Sequence, residues 1–125
     1  MSEPIFLDLP IALLIHQEQI EAFGGSLGLR DQNNLESALG QARHTWDYTQ
    51  NIFETAAQYG FSLARNHPFI DGNKRIAAAC MLVFLDLNGY EPDYNVEDLF
   101  TWTMEAAVGS ITREQLAERL RSQAA

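Results

Sequence analysis

Ten consecutive uncharged residues, Ile76 to Leu85, constrain this chain more than any other feature. They are too few for a bilayer span, which needs roughly 20 apolar residues. They are bounded in a way that suits a helix, because Asp71 or Asn73 could cap the start and Gly89 could take the left-handed position just past the end. A helix that is apolar nearly all round belongs in the middle of a fold. The spacing therefore predicts a buried central helix running to about Asn88, and the rest of the chain must supply elements to cover it.

Those elements also read as helices. Ile11, Leu14, Ile15, Ile20 and Phe23 follow helical spacing, with Pro10 suited to a first turn and Gly24-Gly25 to the end. After a polar, turn-rich stretch from Arg30 to Asn34, residues Leu35, Ala38, Leu39 and Ala42 mark a second helix. A third is expected over Ile52–Asn66, with Phe53, Ala56, Ala57, Phe61 and Ala64 near one face and Pro68 stopping it. Asn95 with Asp98 resembles a cap for a fifth helix ending near Gly109. Thr112 with Gln115 is a capping box for a sixth, with Leu116 and Leu120 as its apolar contacts. Strand signals are confined to Pro4–Leu9 and Tyr90–Tyr94. The expectation is an all-α, single compact domain of about six helices covering residues 1–125, with 46% hydrophobic residues available for a core.

The chain carries 17 acidic residues against 8 Lys and Arg, a net charge of −9. That balance argues against a general affinity for nucleic acid or anionic membrane. Yet Arg65, Lys74 and Arg75 cluster around one short segment, making it the first place to look for an anion site. The single cysteine, Cys80, lies in the apolar stretch and reads as a buried hydrophobe. No basic N-terminal region precedes an apolar run, so a cytoplasmic protein is expected.

The segment His67-Pro-Phe-Ile-Asp71-Gly72-Asn73-Lys74-Arg75 is a loop feeding the start of the apolar helix. A helix start offers unpaired backbone N–H groups and the positive end of the macrodipole, which together favour phosphate. Gly72 would let the backbone approach an anion closely, Asn73 would add a side-chain amide, and Lys74 and Arg75 full charges. Asp71 would bind Mg²⁺ bridging to the phosphate, since magnesium commonly takes one or two carboxylates with phosphate oxygens and waters. His67 is free to take a proton from an attacking hydroxyl. His16 and His44 lack any partner pattern and read as structural, and Trp46 and Trp102 as core or rim.

This segment resembles the Fic/Doc signature H-x-F-x-[D/E]-G-N-G/K-R, here H-P-F-I-D-G-N-K-R. Gly28-Leu29-Arg30-Asp31 and Leu35-Glu36-Ser37-Ala38-Leu39 look like the early segment of the family's Doc branch. The resemblance implies His67 as general base, Phe69 as a core anchor and Asp71 as metal ligand. It also implies an anion hole at Gly72 and Asn73, with Arg75 gripping nucleotide phosphate. Two positions depart from the nucleotidyl-transferring members: Lys74 stands for a second glycine, and Ala78 for a second arginine. Both are shared with the Doc branch.

That branch implies transfer of the γ-phosphate of ATP, with Mg²⁺, onto a protein hydroxyl. Lys74 would neutralise the transferred group. The implied target is a translation elongation factor of the Tu type, and the implied restraint is a separate antitoxin whose disordered segment folds on binding. No self-inhibitory [S/T]-x-x-x-E-[G/N] string occurs in the chain. Two other readings share the same residues: an AMP transferase that tolerates Lys74, and a non-catalytic nucleotide-binding module. Arg65 could face nucleotide, target, antitoxin or solvent.

Overall fold

In the computed structural model, which describes residues 3–91 and 93–123, six helices follow one another along the chain. They are α1 (Leu9–Phe23), α2 (Gln32–Thr49), α3 (Ile52–Asn66), α4 (Asn73–Leu87), α5 (Val96–Val108) and α6 (Arg113–Ser122). Among the described residues the only β-type pairing is an isolated antiparallel bridge between Leu29 and Phe69. Together the helices form one all-α domain.

Local chemistry explains most helix starts. The side chains of Asp8, Asp31, Asn51, Asn95 and Thr112 each accept a backbone N–H from the first turn of the helix they precede. Thr112 and Gln115 complete the capping box. Asp31 draws α2 back to Gln32, so the polar residues Gln32, Asn33 and Asn34 open that helix instead of preceding it.

The centre of the domain is shared. Helix α3 packs against α2, α4, α5 and α6, whereas α4 packs against α1, α3 and α5. At Gly60 a Cβ would overlap the Met81 side chain, so the glycine lets α3 and α4 approach closely. The inward side of α4 buries Ile76, Ala77, Cys80, Met81, Phe84 and Leu85. Of its other apolar residues, Ala78, Ala79 and Leu82 are half-buried and wall a groove against α1 and α5, while Val83 packs against the core and Leu87 is exposed. The all-round apolar pattern thus corresponds to a core face plus a groove face. Burial pushes the Cys80 thiol up to about 12, in keeping with an inert core residue.

Neither strand signal matures. In the Pro4–Leu9 segment, Leu7 N–H donates to the buried Tyr59 hydroxyl at 2.9 Å. Asn88 accepts from Ile5 N–H at 2.6 Å and donates to Ile5 C=O at 3.0 Å. Side chains thereby satisfy backbone groups that a strand would pair with a neighbour. The described part of Tyr90–Tyr94 is irregular, and Pro92 lies outside the described residues. On α1 the inward face is Ala12, Ile15, His16 and Ile20; Leu14 and Phe23, counted in the apolar stripe, are exposed.

Candidate anion-binding active site

Helix α3 ends at Asn66, and His67 follows it in the left-handed region at φ 49°, ψ 54°. Pro68 cannot extend the helix, and its carbonyl accepts the N–H groups of Arg30 at 2.8 Å and Asp31 at 3.0 Å. Ile70 N–H donates to Gly28 C=O at 3.1 Å, so the segment before α2 lines the loop along the Leu29–Phe69 bridge. The Arg30 guanidinium caps the end of α3, donating to His67 C=O at 2.8 Å and Asn66 C=O at 3.3 Å. A cation there also meets the negative end of the α3 dipole.

Phe69 is buried, as expected of an anchor. Asn73 closes the loop on it, accepting Phe69 N–H at 3.0 Å and donating to Phe69 C=O at 2.9 Å. The oxygen of the Asn73 amide and one of its two N–H groups are thus committed to Phe69, which leaves one N–H of the expected anion donor without a protein partner among the described residues. Asn73 also lines the cavity from the first turn of α4. The capping expectation changes. Gly72, not Asp71 or Asn73, is the residue that caps α4, and no side chain caps that helix. Gly72 sits at φ +80°, a conformation glycine adopts without the cost of a Cβ. The first-turn N–H groups of α4 are consequently left for another acceptor.

Around that helix start lies an open cavity of about 240 Å³ lined by His67, Asp71, Gly72, Lys74, Arg75 and Phe100, among others. His67 and Asp71 are exposed, and Lys74 and Arg75 are half-buried. Among the described residues neither cation is in an ion pair with a carboxylate. The Asp71 carboxylate accepts Gly72 N–H at 2.8 Å and Ser26 N–H at 3.2 Å. Arg75 donates to Gly24 C=O at 2.8 Å, leaving further guanidinium N–H groups free to meet an oxyanion. Gly25 allows this approach of the 24–26 segment, since a Cβ there would lie 2.6 Å from the Asp71 carboxylate.

The residues singled out from the motif therefore converge: His67, Asp71, Gly72, Asn73, Lys74 and Arg75 all line one cavity. Others do not. Arg65 donates to Ala106 C=O at 3.4 Å and lies over the Phe61 ring, which makes it a brace for the end of α5. Trp46 is buried, Trp102 packs its edge on Tyr94, and His44 is exposed on α2 outside the cavity lining.

Two comparisons bear on this arrangement. Residues 6–85, which include the whole loop, match the family model described as the Fic/DOC family. The chain belongs to the Fic/DOC family. It is similar to "Protein kinase doc" of Escherichia phage P1, at 34% identity over 87% of each chain. It is also similar to "Toxin Doc" of Mycolicibacterium smegmatis, at 35% identity over 83% of this chain and 84% of the relative.

Membership in the Fic/DOC family makes the residues outside the signature the more informative ones. Arg30, Ser26, Phe100 and above all His16 contact or line the site without belonging to its loop. Arg30 belongs to the Gly28–Asp31 segment, but nothing in its local spacing points to His67. His16 Nε2 is 2.7 Å from Asp71 C=O, a contact across 55 residues with no sequence signal at all.

Proposed function

We propose that this chain is a Doc-like toxin that moves the γ-phosphate of ATP onto a hydroxyl of a protein target in the cytoplasm. The observation that carries the reading is the start of α4: free of a side-chain cap, flanked by two unpaired cations and faced by an exposed histidine. The names borne by the phage and mycobacterial relatives, a protein kinase and a toxin, support the same class.

The residues suit the task. First-turn N–H groups of α4, with Lys74 and Arg75, would hold the phosphoryl oxygens and neutralise charge that builds on them. His67 would accept the proton as the target oxygen attacks the γ-phosphorus and the bond to the ADP bridging oxygen breaks. Asp71 fits Mg²⁺: its carboxylate is solvent-accessible, and no cluster of three His, Cys, Asp or Glu converges among the described residues. A cation bound there would draw its other ligands from nucleotide and water, a set that suits magnesium. When bound, the ion would supply positive charge between the phosphates. Ala78 and Leu82 form an apolar wall beyond Arg75, so no second arginine stands there to hold distal phosphates of a nucleotide attacked at its α-phosphate.

The groove between α1, α4 and α5 would receive the antitoxin. It has a volume of about 550 Å³, is lined by Phe23, Ala79, Leu82, Val96 and Phe100, and shares Arg75 and Phe100 with the anion cavity. Phe23 is 69% and Val96 75% exposed. An apolar surface of this kind suits the apolar face of a partner helix, which would also cover the cavity mouth.

Intact-mass analysis of elongation factor Tu incubated with the chain, ATP and Mg²⁺ tests the reading, with His67→Asn as control. A gain of one phosphate, absent in the control, is expected. A gain of AMP assigns nucleotidyl transfer instead, and an unchanged mass removes elongation factor Tu as the target.

A further inference from the structure

His16 is 3% exposed on the inward face of α1, between the helix and the loop. Its ring stacks on Phe69 with centroids 3.7 Å apart and planes 10° from parallel. Its Nε2 lies 2.7 Å from the Asp71 carbonyl oxygen. A carbonyl oxygen only accepts, so a neutral His16 must carry its proton on Nε2. Among the described residues His16 is the only hydrogen-bond partner of that oxygen.

The carbonyl of Asp71 and the N–H of Gly72 are the two ends of one planar trans peptide, and they point in opposite directions. Holding the oxygen against α1 therefore turns the Gly72 N–H away from α1. In the structure it points at the Asp71 carboxylate, 2.8 Å away, on the cavity side. The same hold fixes the Asp71 backbone from which that carboxylate projects. Gly72, at φ +80°, is a residue whose peptide would otherwise turn with little steric restraint.

We propose that His16 is a positioning residue for the anion site: it clamps the Asp71–Gly72 peptide so that the Gly72 N–H and the Asp71 carboxylate face the cavity. The proposal rests on the phosphoryl-transfer reading for its kinetic consequence, but not for its geometry. His16 itself stays behind the loop and touches no reacting group.

Two substitutions separate the clamp from simple core filling. His16→Phe keeps a flat ring against Phe69 and loses the donor; His16→Gln loses the ring and keeps an amide donor. In transfer from ATP, His16→Phe is expected to lower kcat about 10–100-fold, with KM for ATP within about threefold of wild type. His16→Gln is expected to recover kcat to within about fivefold of wild type. Wild-type kcat in His16→Phe, a loss confined to KM, or a His16→Gln variant no better than His16→Phe overturns the proposal.

Nuclear magnetic resonance of the ¹⁵N-labelled chain gives a readout that needs no transfer activity. The wild-type His16 ring should show the Nε2–H tautomer. Hydrogen exchange at the Gly72 amide should quicken at least about fivefold in His16→Phe and return in His16→Gln. A proton on Nδ1 alone, or Gly72 exchange unmoved by His16→Phe, overturns the clamp. If these signatures hold while the wild-type chain transfers nothing from ATP, the clamp stands and the functional reading falls. Should His16→Phe fail to fold, the tautomer and the His16→Gln exchange rate decide the matter, wild-type-like exchange supporting the clamp.

Discussion

Five helices in this domain begin on a side chain that satisfies their first turn, and the sixth, α4, begins on none. The five capped starts are closed by their own sequence: Asp8, Asp31, Asn51, Asn95 and Thr112 take up N–H groups that would otherwise need water. At α4 the neighbouring polar side chains face elsewhere. Asn73 holds the Phe69 backbone, and Asp71 accepts from Gly72 and Ser26. A capped start contributes stability, whereas an open start flanked by Lys74 and Arg75 leaves a place for an oxyanion. The loop before α4 is instead held from outside, by Arg30 at His67 and by His16 at Asp71.

If that division is right, substitutions at the open end change transfer and those at capped ends change stability. The largest effect is expected for His67→Asn, which respects the left-handed backbone at this position. Transfer to the target should fall by about 10²–10⁴-fold with little change in Tm, measured by mass-resolved progress curves and thermal unfolding. Asn73→Ala should cross the division. It removes both bonds that close the loop, so Tm should fall together with transfer, for a stability loss of about 1–3 kcal/mol. A variant that lost transfer alone would return Asn73 to the anion.

At a capped end, Asn51→Ala removes the acceptor of Phe53 and Glu54 N–H groups at 2.9 and 3.0 Å. It should cost about 1 kcal/mol in urea unfolding and leave kcat unchanged. A loss of transfer there would break the comparison. An effect confined to alkaline pH concerns the buried interior of α4. With Cys80 held protonated to about 12 in the fold, the unfolded chain releases this proton first as pH rises above the ordinary thiol value of 9.0. Stability should then decline as pH rises from about 9 toward 12, a trend that Cys80→Ala should make shallower in urea midpoints. Alkylation of the native thiol near pH 8 should be slow until urea unfolds the chain.

The sequence carried much of the fold because its signals are local. Ile52–Asn66 has the same bounds in the structure as its spacing predicts, and the Thr112–Gln115 box forms as read. The motif residues also meet in one cavity, since a six-residue loop (67–72) and the first turn of the helix it enters have few ways to spread. Less legible was which partner each side chain takes. The inward face of α1 was misjudged because Leu14 and Phe23 are apolar yet exposed, while His16 is polar yet buried. Hydropathy alone ranks those three the wrong way round, and the carbonyl that makes burial of His16 favourable lies 55 residues away.

By itself, then, the sequence determined six helices, the caps at Asn95 and Thr112, and the motif residues of the loop before α4. Periodicity, proline and cap chemistry act over three or four neighbouring residues, and a chain displays them before it folds. Only the tertiary structure decided that Asn73 serves the loop, that Arg65 braces α5, and that Arg30 and His16 hold the loop from behind. Those choices depend on backbone carbonyls and N–H groups, which every residue possesses alike. Which of them is left without a partner is known only once distant helices have packed.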